Sequence, residues 1–442
     1  MTAFRLLPLS AALGLALSLP SQAQSLVDLY ESARAFDASY QSAKSQFDAT
    51  MAKAEQARSA VLPNVGLSAG LNLGTIDNSL AAPTVKQGGF NSQSATLSAS
   101  HPLYRPANQA SYQQGEKQKD LAQWQLAAAD QDLIVRVSQA YFDVLAAQDN
   151  LGFVLAQKAA VTEQLAAAKR NFEVGTSTIT DTREAQARFD LVTAQEIAAR
   201  NDEQVKKLAL DQLVGKTGTQ PKGVALPLSL PVVEPVDINA WVQRSAESHP
   251  SVKQSQIGLD VAQLETRKAE SASGPTLDAT AGLNITQNNE SATSTATFRT
   301  TTGTVGLSFN LPLFSGYAIQ NRLKETLALE DKARNDLEGA KRAVAQGTRS
   351  AYFGVLSGQG QVKALEAAEA SSQSALDANK LGYQVGVRIN IDVLNAQSQL
   401  FDTKAKLAKA RYDVLLGGLK LKQASGVLKT DDLKSVNDLL QK

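Results

Sequence analysis

The chain lacks the residues and motifs that most catalytic or metal sites require. It contains no cysteine, so it has no disulfide framework and no cysteine-linked lipid anchor. Its two histidines, His101 and His249, do not stand at metal-ligand spacing with another histidine or an acidic residue. It has no nucleophile elbow, phosphate-binding loop or dinucleotide fingerprint. The sequence therefore predicts no enzyme, no cofactor and no resident metal.

Long apolar runs and an excess of charge are also missing. Residues 1–23 combine one arginine, a short apolar run and the ending Ser21-Gln22-Ala23, which predicts a cleaved signal peptide. Beyond it, the longest apolar stretch, 224–233, is broken by two prolines, so no membrane-spanning helix is predicted. Without the signal, 44 − 1 = 43 basic residues balance 43 acidic ones, which disfavours a nucleic-acid partner.

The sequence contains an internal repeat. Phe172–Asp190 reads FEVGTSTITDTREAQARFD, and Tyr383–Asp402 reads YQVGVRINIDVLNAQSQLFD. The Val-Gly glycines lie 386 − 175 = 211 residues apart, and so do the following aspartates, Asp181 and Asp392. A period of this length indicates a duplicated half-molecule rather than a solenoid. We place the repeats at 24–215 and 249–426, joined by a proline-rich linker at 216–248, with no readable motif in 427–442.

Within each repeat the hydrophobic period changes from helix to strand and back. Helix-forming residues fill 26–61, and Val65, Leu67 and Leu71 then alternate with polar or small residues. The predicted elements are strands at about 63–75 and 94–104, a long helix at 106–171 and a helix at 179–214, then strands at about 275–287 and 303–314, a long helix at 316–381 and a helix at 390–424. Hairpins of about ten residues per strand with one apolar face are typical of a membrane barrel. The edge of a soluble sandwich is the alternative.

The lengths of the helices predict how they pair. The long helix would span roughly 100 Å, and each shorter helix of about 36 residues roughly 54 Å. Two short helices placed end to end thus match the length of one long helix. Within the long helix, Ile134, Val137 and Tyr141 follow the spacing of a coiled-coil seam. Four strands in lipid leave unpaired edges, so several chains must close the sheet. Three chains and twelve strands are favoured, because eight strands would be filled by their own side chains.

These features together resemble the TolC family of outer-membrane efflux and type I secretion ducts. The resemblance covers essentially the whole mature chain: the duplicated plan, both Val-Gly hairpins, IDVLNAQ at 391–397 and LAKARYDVLLGGLKLKQASGVL at 407–428. It implies a mixed α+β membrane protein, a homotrimer whose twelve-stranded β-barrel in outer-membrane lipid continues as a long-helix α-barrel through the periplasm. A periplasmic adaptor and an inner-membrane ABC or proton-driven transporter would dock at the far end. Drugs, other small molecules or secreted proteins would then be exported through a mouth that opens by helix-coil rearrangement.

The resemblance also assigns roles to residues near the hairpins. It implies that the tips contact the adaptor through Val174, Gly175, Thr176, Val385, Gly386 and Val387. Asp392 would form an acidic ring at the constricted entrance, where an inhibitory cation can bind. Asn395 stands where many members have a second acid, so one carboxylate level is expected here. Contacts among Asp181, Tyr383 and Arg388 would hold the inner coils closed as a latch.

Two other classes of function remain alternatives at this stage. A trimeric structural stalk or adhesin would use the long helices without a path through them. A passive porin would use the strands, although porins lack such helices. A stalk conducts no ions, a porin conducts openly, and a duct conducts poorly until its inner mouth is released.

Overall fold

The computed structural model describes residues 24–76, 88–225, 227–228, 230–289 and 296–440. The expected signal peptide, 1–23, lies outside these residues. In chain order the elements are α1 (Leu26–Phe36), α2 (Ala38–Arg58), β1 (Asn64–Ile76), β2 (Gly88–Tyr104), α3 (Pro106–Glu173), α4 (Ile179–Val214), α5 (Ile238–Ser248), α6 (Pro250–Ser271), β3 (Thr276–Asn289), β4 (Phe298–Asn310), α7 (Ala318–Gln384), α8 (Asn390–Ala424) and α9 (Thr430–Asn437).

These elements form two compact units. One contains residues up to Gln41, Ala129–Ser245 and the chain from Ala345 onward, and it holds both helical hairpin turns. The other contains Ser42–Ala128 and Ala246–Val344, and it holds the four strands. The mixed α+β fold class is therefore confirmed. Among the helices of the described ranges, none has a stretch long and apolar enough to cross a membrane.

The four strands make one antiparallel sheet in the order β1-β2-β3-β4. Leu67 pairs with Leu97 and Leu97 with Leu283, so the apolar positions of neighbouring strands lie in one row. This face is open: Leu67 is 77% exposed and Val305 is 90% exposed. On the opposite face, the Thr96 hydroxyl donates to Asn284 Oδ1 at 2.9 Å. The predicted alternation of apolar and polar faces is present in the sheet.

The strands that follow the long loops begin earlier in the chain than the sequence suggested. β2 starts at Gly88 instead of 94, and β4 runs from Phe298 to Asn310 instead of from 303 to 314. Glycine and threonine near these starts suggested loops, but their backbones complete the ladder with the preceding strand. The end of β4 comes before Pro312, which has no N–H to donate to a ladder.

The long helices have the predicted lengths, with 68 residues in α3 and 67 in α7. Pro106 begins α3, where its missing N–H interrupts no helical hydrogen bond. The predicted seam is buried, with Ile134, Val137 and Tyr141 fully enclosed. The Tyr141 hydroxyl donates to the Lys222 carbonyl at 2.7 Å, which satisfies its polar end.

The first predicted helix, 26–61, is divided into two. Asp37 leaves the helical conformation, and its Oδ1 accepts a hydrogen bond from the Tyr40 backbone N–H at 2.8 Å. The Arg136 guanidinium donates to both oxygens of the same carboxylate at 3.0 Å. One side chain thus begins α2 and ties it to α3, so a continuous helix was the wrong prediction.

A similar division occurs between α5 and α6. His249 lies between α5 and α6, and its Nδ1 accepts from the Ser251 backbone N–H at 3.1 Å. Both α1 and α5 have 11 residues, and each precedes an equivalent helix. The segment predicted as linker, 216–248, thus contains α5 at the place that α1 holds before α2 in the first repeat.

The segment after residue 427 contains a short helix that the sequence reading missed. Leu433 of α9 is fully buried and Val436 nearly so. Lys422 Nζ lies 2.8 Å from Asp432 Oδ1, which connects α8 to α9. The residues 430–440 are thus a packed part of the first unit.

Candidate functional site at the helical hairpin turns

The two hairpin turns have the same backbone. Gly175 and Gly386 have φ angles of 79° and 81°, which side chains with a Cβ rarely adopt. After each glycine the chain hydrogen-bonds back to the helix, Thr176 N–H to the Asn171 carbonyl at 2.8 Å and Val387 N–H to the Gly382 carbonyl at 2.9 Å. These contacts satisfy carbonyls that the helix end leaves open. The repeated Val-Gly pair therefore specifies the turn itself.

The residues around both glycines project from the chain. Val174 is 73% exposed, Val385 65% and Val387 75%. A Cβ added to either glycine would meet no atom of the described residues within 4 Å, so no described part of the chain packs against the two glycines. The predicted adaptor-contact residues thus form two similar exposed tips with apolar side chains.

Asp181 is held by its own helix. Its Oδ2 accepts hydrogen bonds from the Ser177 hydroxyl at 2.7 Å, the Thr178 hydroxyl at 2.8 Å and the Thr178 backbone N–H at 2.9 Å. Burial alone would raise the pKa of Asp181, but these donors outweigh it and the pKa lies below its ordinary value. This carboxylate is therefore an N-terminal cap of α4 in the single chain.

Asp392 occupies the equivalent position in α8 but has different partners. The residue before α8 is Ile389, which has no side-chain oxygen to cap the helix. Asp392 Oδ2 instead lies 3.7 Å from Arg388 Nη1, and the Asp392 side chain is 34% exposed. Because the second repeat has isoleucine where the first has Thr178, Asp392 lacks this cap, and its carboxylate is partly exposed beside Arg388.

The three predicted latch residues do not meet within one chain. Arg388 lies near Asp392, whereas Asp181 bonds to Ser177 and Thr178. Tyr383 packs against an apolar cluster formed by Leu376, Val393 and Leu400. A latch made of Asp181, Tyr383 and Arg388 remains a prediction that requires contact between copies.

A buried polar pair joins the two hairpins near their turns. Asn390 is fully buried at the start of α8, and its Nδ2 donates to the Asp181 carbonyl at 3.2 Å. The Gln164 amide of α3 donates to Asn390 Oδ1. The starts of α4 and α8 are thereby fixed to each other. This pair was not predicted, because its only signal in the sequence is an asparagine at the first position of the predicted helix.

A second contact between α4 and α8 involves a predicted residue. Arg188 Nη2 donates to Asn395 Oδ1 at 2.7 Å. The side chain of Asn395 is exposed, while Leu394 beside it is fully buried against α3 and α4. The sequence analysis identified Asn395 but not Arg188, because the two lie 207 residues apart and in unmatched positions of the repeats.

No resident metal is suggested by the part of the chain that the structure describes. Within it, no group of three or more histidine or acidic side chains is placed to hold an ion. A single Asp392 carboxylate with one arginine nearby is too few ligands for such a site.

Two long helical hairpins and a sheet with an exposed apolar face define the chain as a subunit of a membrane export channel. The chain belongs to the outer membrane efflux protein family, whose model matches residues 29–216 and 241–427. Both matched segments include one long helix and one hairpin turn, so the family match follows the internal duplication.

Individual proteins agree with this assignment. The chain is 35% identical to the outer membrane protein TolC of Vibrio cholerae, over 98% of each chain. It is 32% identical to the outer membrane protein TolC of Escherichia coli, over 99% of this chain and 90% of that one. It is 30% identical to the alkaline protease secretion protein AprF of Pseudomonas aeruginosa, over 93% of this chain and 86% of that one.

A solved structure shares the fold. The outer membrane protein VceC of Vibrio cholerae superimposes with a TM-score of 0.77 at 18% identity, over 91% of this chain and 96% of that one. With the family established, the protein is an outer-membrane channel for efflux or secretion and is not an enzyme. The alternatives of a structural stalk and of a passive porin are thereby set aside.

Proposed function

We propose that three copies of this chain close one twelve-stranded wall in the outer membrane and continue it as a helical duct. The observation that carries the proposal is the open sheet. Within the described residues, β1 and β4 pair with no further strand on their outer sides. Edges exposed to lipid leave backbone N–H and C=O groups without partners, and pairing β4 of one copy with β1 of the next satisfies them.

The exposed apolar face supports the same arrangement. Leu71, Leu73, Leu307 and Phe309 are each at least 60% exposed. A contiguous face of this kind is unfavourable in water and stable against lipid. The opposite face, rich in threonine, serine and asparagine, would line the passage.

Channels of this family work as trimers together with periplasmic adaptors and inner-membrane transporters. A trimer of this chain would have six tips with similar backbones. Three of them, from the first repeat, expose Val174, and the other three, from the second repeat, expose Val385 and Val387. An adaptor with apolar grooves fits these tips. An inner-membrane transporter, ABC or proton-driven, would then deliver drugs, other small molecules or proteins into the duct.

The mouth of the duct would be formed by the starts of α4 and α8. Asp392 and Asn395 lie three residues apart, on the less buried side of α8, while Val393, Leu394 and Leu400 face the helical core. In a trimer, three Asp392 carboxylates would ring the axis and attract cations. We further propose that Asp181, Tyr383 and Arg388 meet across copies and keep this ring narrow.

Single-channel recording in planar bilayers tests the proposal. We expect the wild-type protein to insert and conduct weakly, and Arg388→Ser combined with Asp181→Ala to raise conductance severalfold. Because Asp181→Ala also removes a helix cap, Thr178→Val is the matched control: it weakens the cap but keeps the carboxylate. Failure to form channels would refute the duct, and equal conductance in all variants would refute the latch.

A further inference from the structure

We infer that Arg188 determines the ion selectivity of the inner mouth, because it places a positive charge at the level of Asn395. The inference rests on the proposed function, in which Asp392 and Asn395 face a shared axis. It changes the electrical character of that mouth from an acidic ring to a mixed one.

Arg188 of α4 is hydrogen-bonded to the uncharged side chain of Asn395 in α8. Arg188 Nη2 donates to the neutral amide oxygen of Asn395 at 2.7 Å, so the guanidinium lies beside this side chain. Across the described ranges, the structure gives Arg188 no ion pair with a carboxylate. A different arginine of the same helix, Arg200, is paired with Glu196 at 2.8 Å. Within these residues, Arg188 is therefore bonded to a neutral amide, whereas Arg200 is bonded to a carboxylate.

The contact with Asn395 places the charge of Arg188 close to the level of Asp392. Asn395 lies three residues after Asp392, a rise of roughly 4.5 Å along α8. This separation is shorter than the Debye length of about 10 Å at 0.1 M salt, so an ion at the ring experiences both groups. The contribution of Arg188 must therefore be added to that of the aspartate ring.

Several charged side chains lie near the proposed ring of Asp392 carboxylates. At the starts of α4 and α8, each copy contributes negative charges from Asp181 and Asp392. It contributes positive charges from Arg388, 3.7 Å from Asp392, and from Arg188. Asp202 and Asp402 line the same cleft of about 530 Å³ as Arg188, and Asp402 is paired with Lys406 at 2.6 Å. Arg188 thus adds a positive charge to a mouth that holds charges of both signs. Arg188 also offers a ready partner to any carboxylate introduced at Asn395.

Reversal potentials across a KCl gradient test this role. We expect Arg188→Gln, which keeps an amide donor and removes the charge, to raise the K⁺ to Cl⁻ permeability ratio about two- to fivefold at roughly 0.1 M salt. The effect should shrink at 1 M salt. Arg188→Lys should keep the wild-type ratio, because it keeps the charge. Arg200→Gln is the matched control and should leave the ratio unchanged.

A second readout uses block by a trivalent cation, lanthanum(III). Asn395→Asp alone should strengthen block only slightly, because Arg188 pairs with the new carboxylate. The same substitution combined with Arg188→Gln should strengthen block at least tenfold. Equal effects of Asn395→Asp in both backgrounds would overturn the inference.

The outcomes separate this inference from the proposed function. If Asp392→Asn changes selectivity and Arg188→Gln does not, the ring stands and the role of Arg188 is refuted. If neither substitution changes selectivity, the axial placement of Asp392 itself is wrong. If Arg188→Lys behaves like Arg188→Gln, the charge is not the determinant and the inference fails. Each variant is first compared with wild type by its assembled mass in detergent.

Discussion

Thr178 and Asp181 cap the start of α4 reciprocally. Thr178 Oγ1 accepts from the Asp181 backbone N–H at 3.2 Å, and Asp181 Oδ2 accepts from the Thr178 backbone N–H at 2.9 Å. The corresponding pair in the second repeat is Ile389 and Asp392, where this exchange is impossible. Arg388 also stands where the first repeat has Ser177, so Asp181 is a capping residue whereas Asp392 is paired with an arginine.

Ile389→Thr should recreate the cap in the second repeat. Ile389 is 61% exposed, so little apolar burial is lost, and the new hydroxyl should stabilise the start of α8 by about 1 kcal/mol. We expect slower hydrogen exchange in the first turn of α8 and weaker block by trivalent cations, because Asp392 turns toward the cap.

The reverse change in the first repeat provides the control. Thr178→Ile should speed hydrogen exchange at the start of α4. If Ile389→Thr slowed exchange but left cation block unchanged, the capped carboxylate would not be the one that binds the cation.

Gly175→Ala and Gly386→Ala should each destabilise the protein by roughly 1–2 kcal/mol through backbone strain alone. Both glycines have positive φ, and neither has a neighbouring atom that a Cβ would strike. Gly152→Ala in the interior of α3 is the matched control, also in open space, and should stabilise by up to about 1 kcal/mol. Thermal unfolding in detergent measures all three, and equal effects at the three positions would contradict the account.

The Asp37–Arg136 pair should make stability depend on pH. The Arg136 hydrogen bonds hold the pKa of Asp37 below its ordinary value, against the opposing effect of burial. A carboxylate whose pKa is lowered by folding contributes stability above its unfolded pKa of about 3.9, and that contribution is lost as pH falls through the folded pKa. Asp37→Asn should therefore lower the melting temperature at pH 7, and the difference from wild type should shrink as the pH falls below about 3.9.

A gap in melting temperature that stays constant from pH 7 to pH 3 would show that the charge of Asp37 contributes nothing. Asp132→Asn serves as the comparison, since Asp132 also pairs with Arg136 but is 58% exposed. Its effect should be much smaller at every pH.

Val174→Asp and Val387→Asp should abolish export in cells and leave channel conductance unchanged. Both side chains are exposed at the tips and contribute little to the fold, so a charge should disrupt only an apolar contact with an adaptor. Drug susceptibility of a complemented strain and bilayer conductance measure the two properties. Intact export in both variants would remove the tips from the adaptor contact.

Much of this fold could be predicted because its signals are local and repeated. Alternating residues such as Val65 and Leu67 identify strands, the Val-Gly pair identifies a turn, and the 211-residue offset confirms each element by its copy. The capping signature Thr178-x-x-Asp181 can also be recognised in the sequence. It explains why the Asp181 carboxylate is hydrogen-bonded within its own chain.

What the sequence concealed depends on contacts between distant residues. Asp37, at the break between α1 and α2, pairs with Arg136, 99 residues away, and the buried Asn390 accepts from Gln164, 226 residues away. The Arg188–Asn395 bond has no equivalent in the other repeat, so the internal duplication gave no hint of it. Helix α9 has only two buried residues, Leu433 and Val436, which is too short a pattern to be recognised.

Disulfide cross-linking between strand edges tests the central claim most directly, since the natural chain has no cysteine. Asn72→Cys on β1 would be combined in turn with Thr300→Cys, Thr302→Cys or Thr304→Cys on β4, and each single variant would be the control. We expect at least one pair to give covalent dimers and trimers in outer membranes, with no larger species. Only monomers from all three pairs, together with a monomeric mass in detergent, would contradict closure of the sheet by three copies.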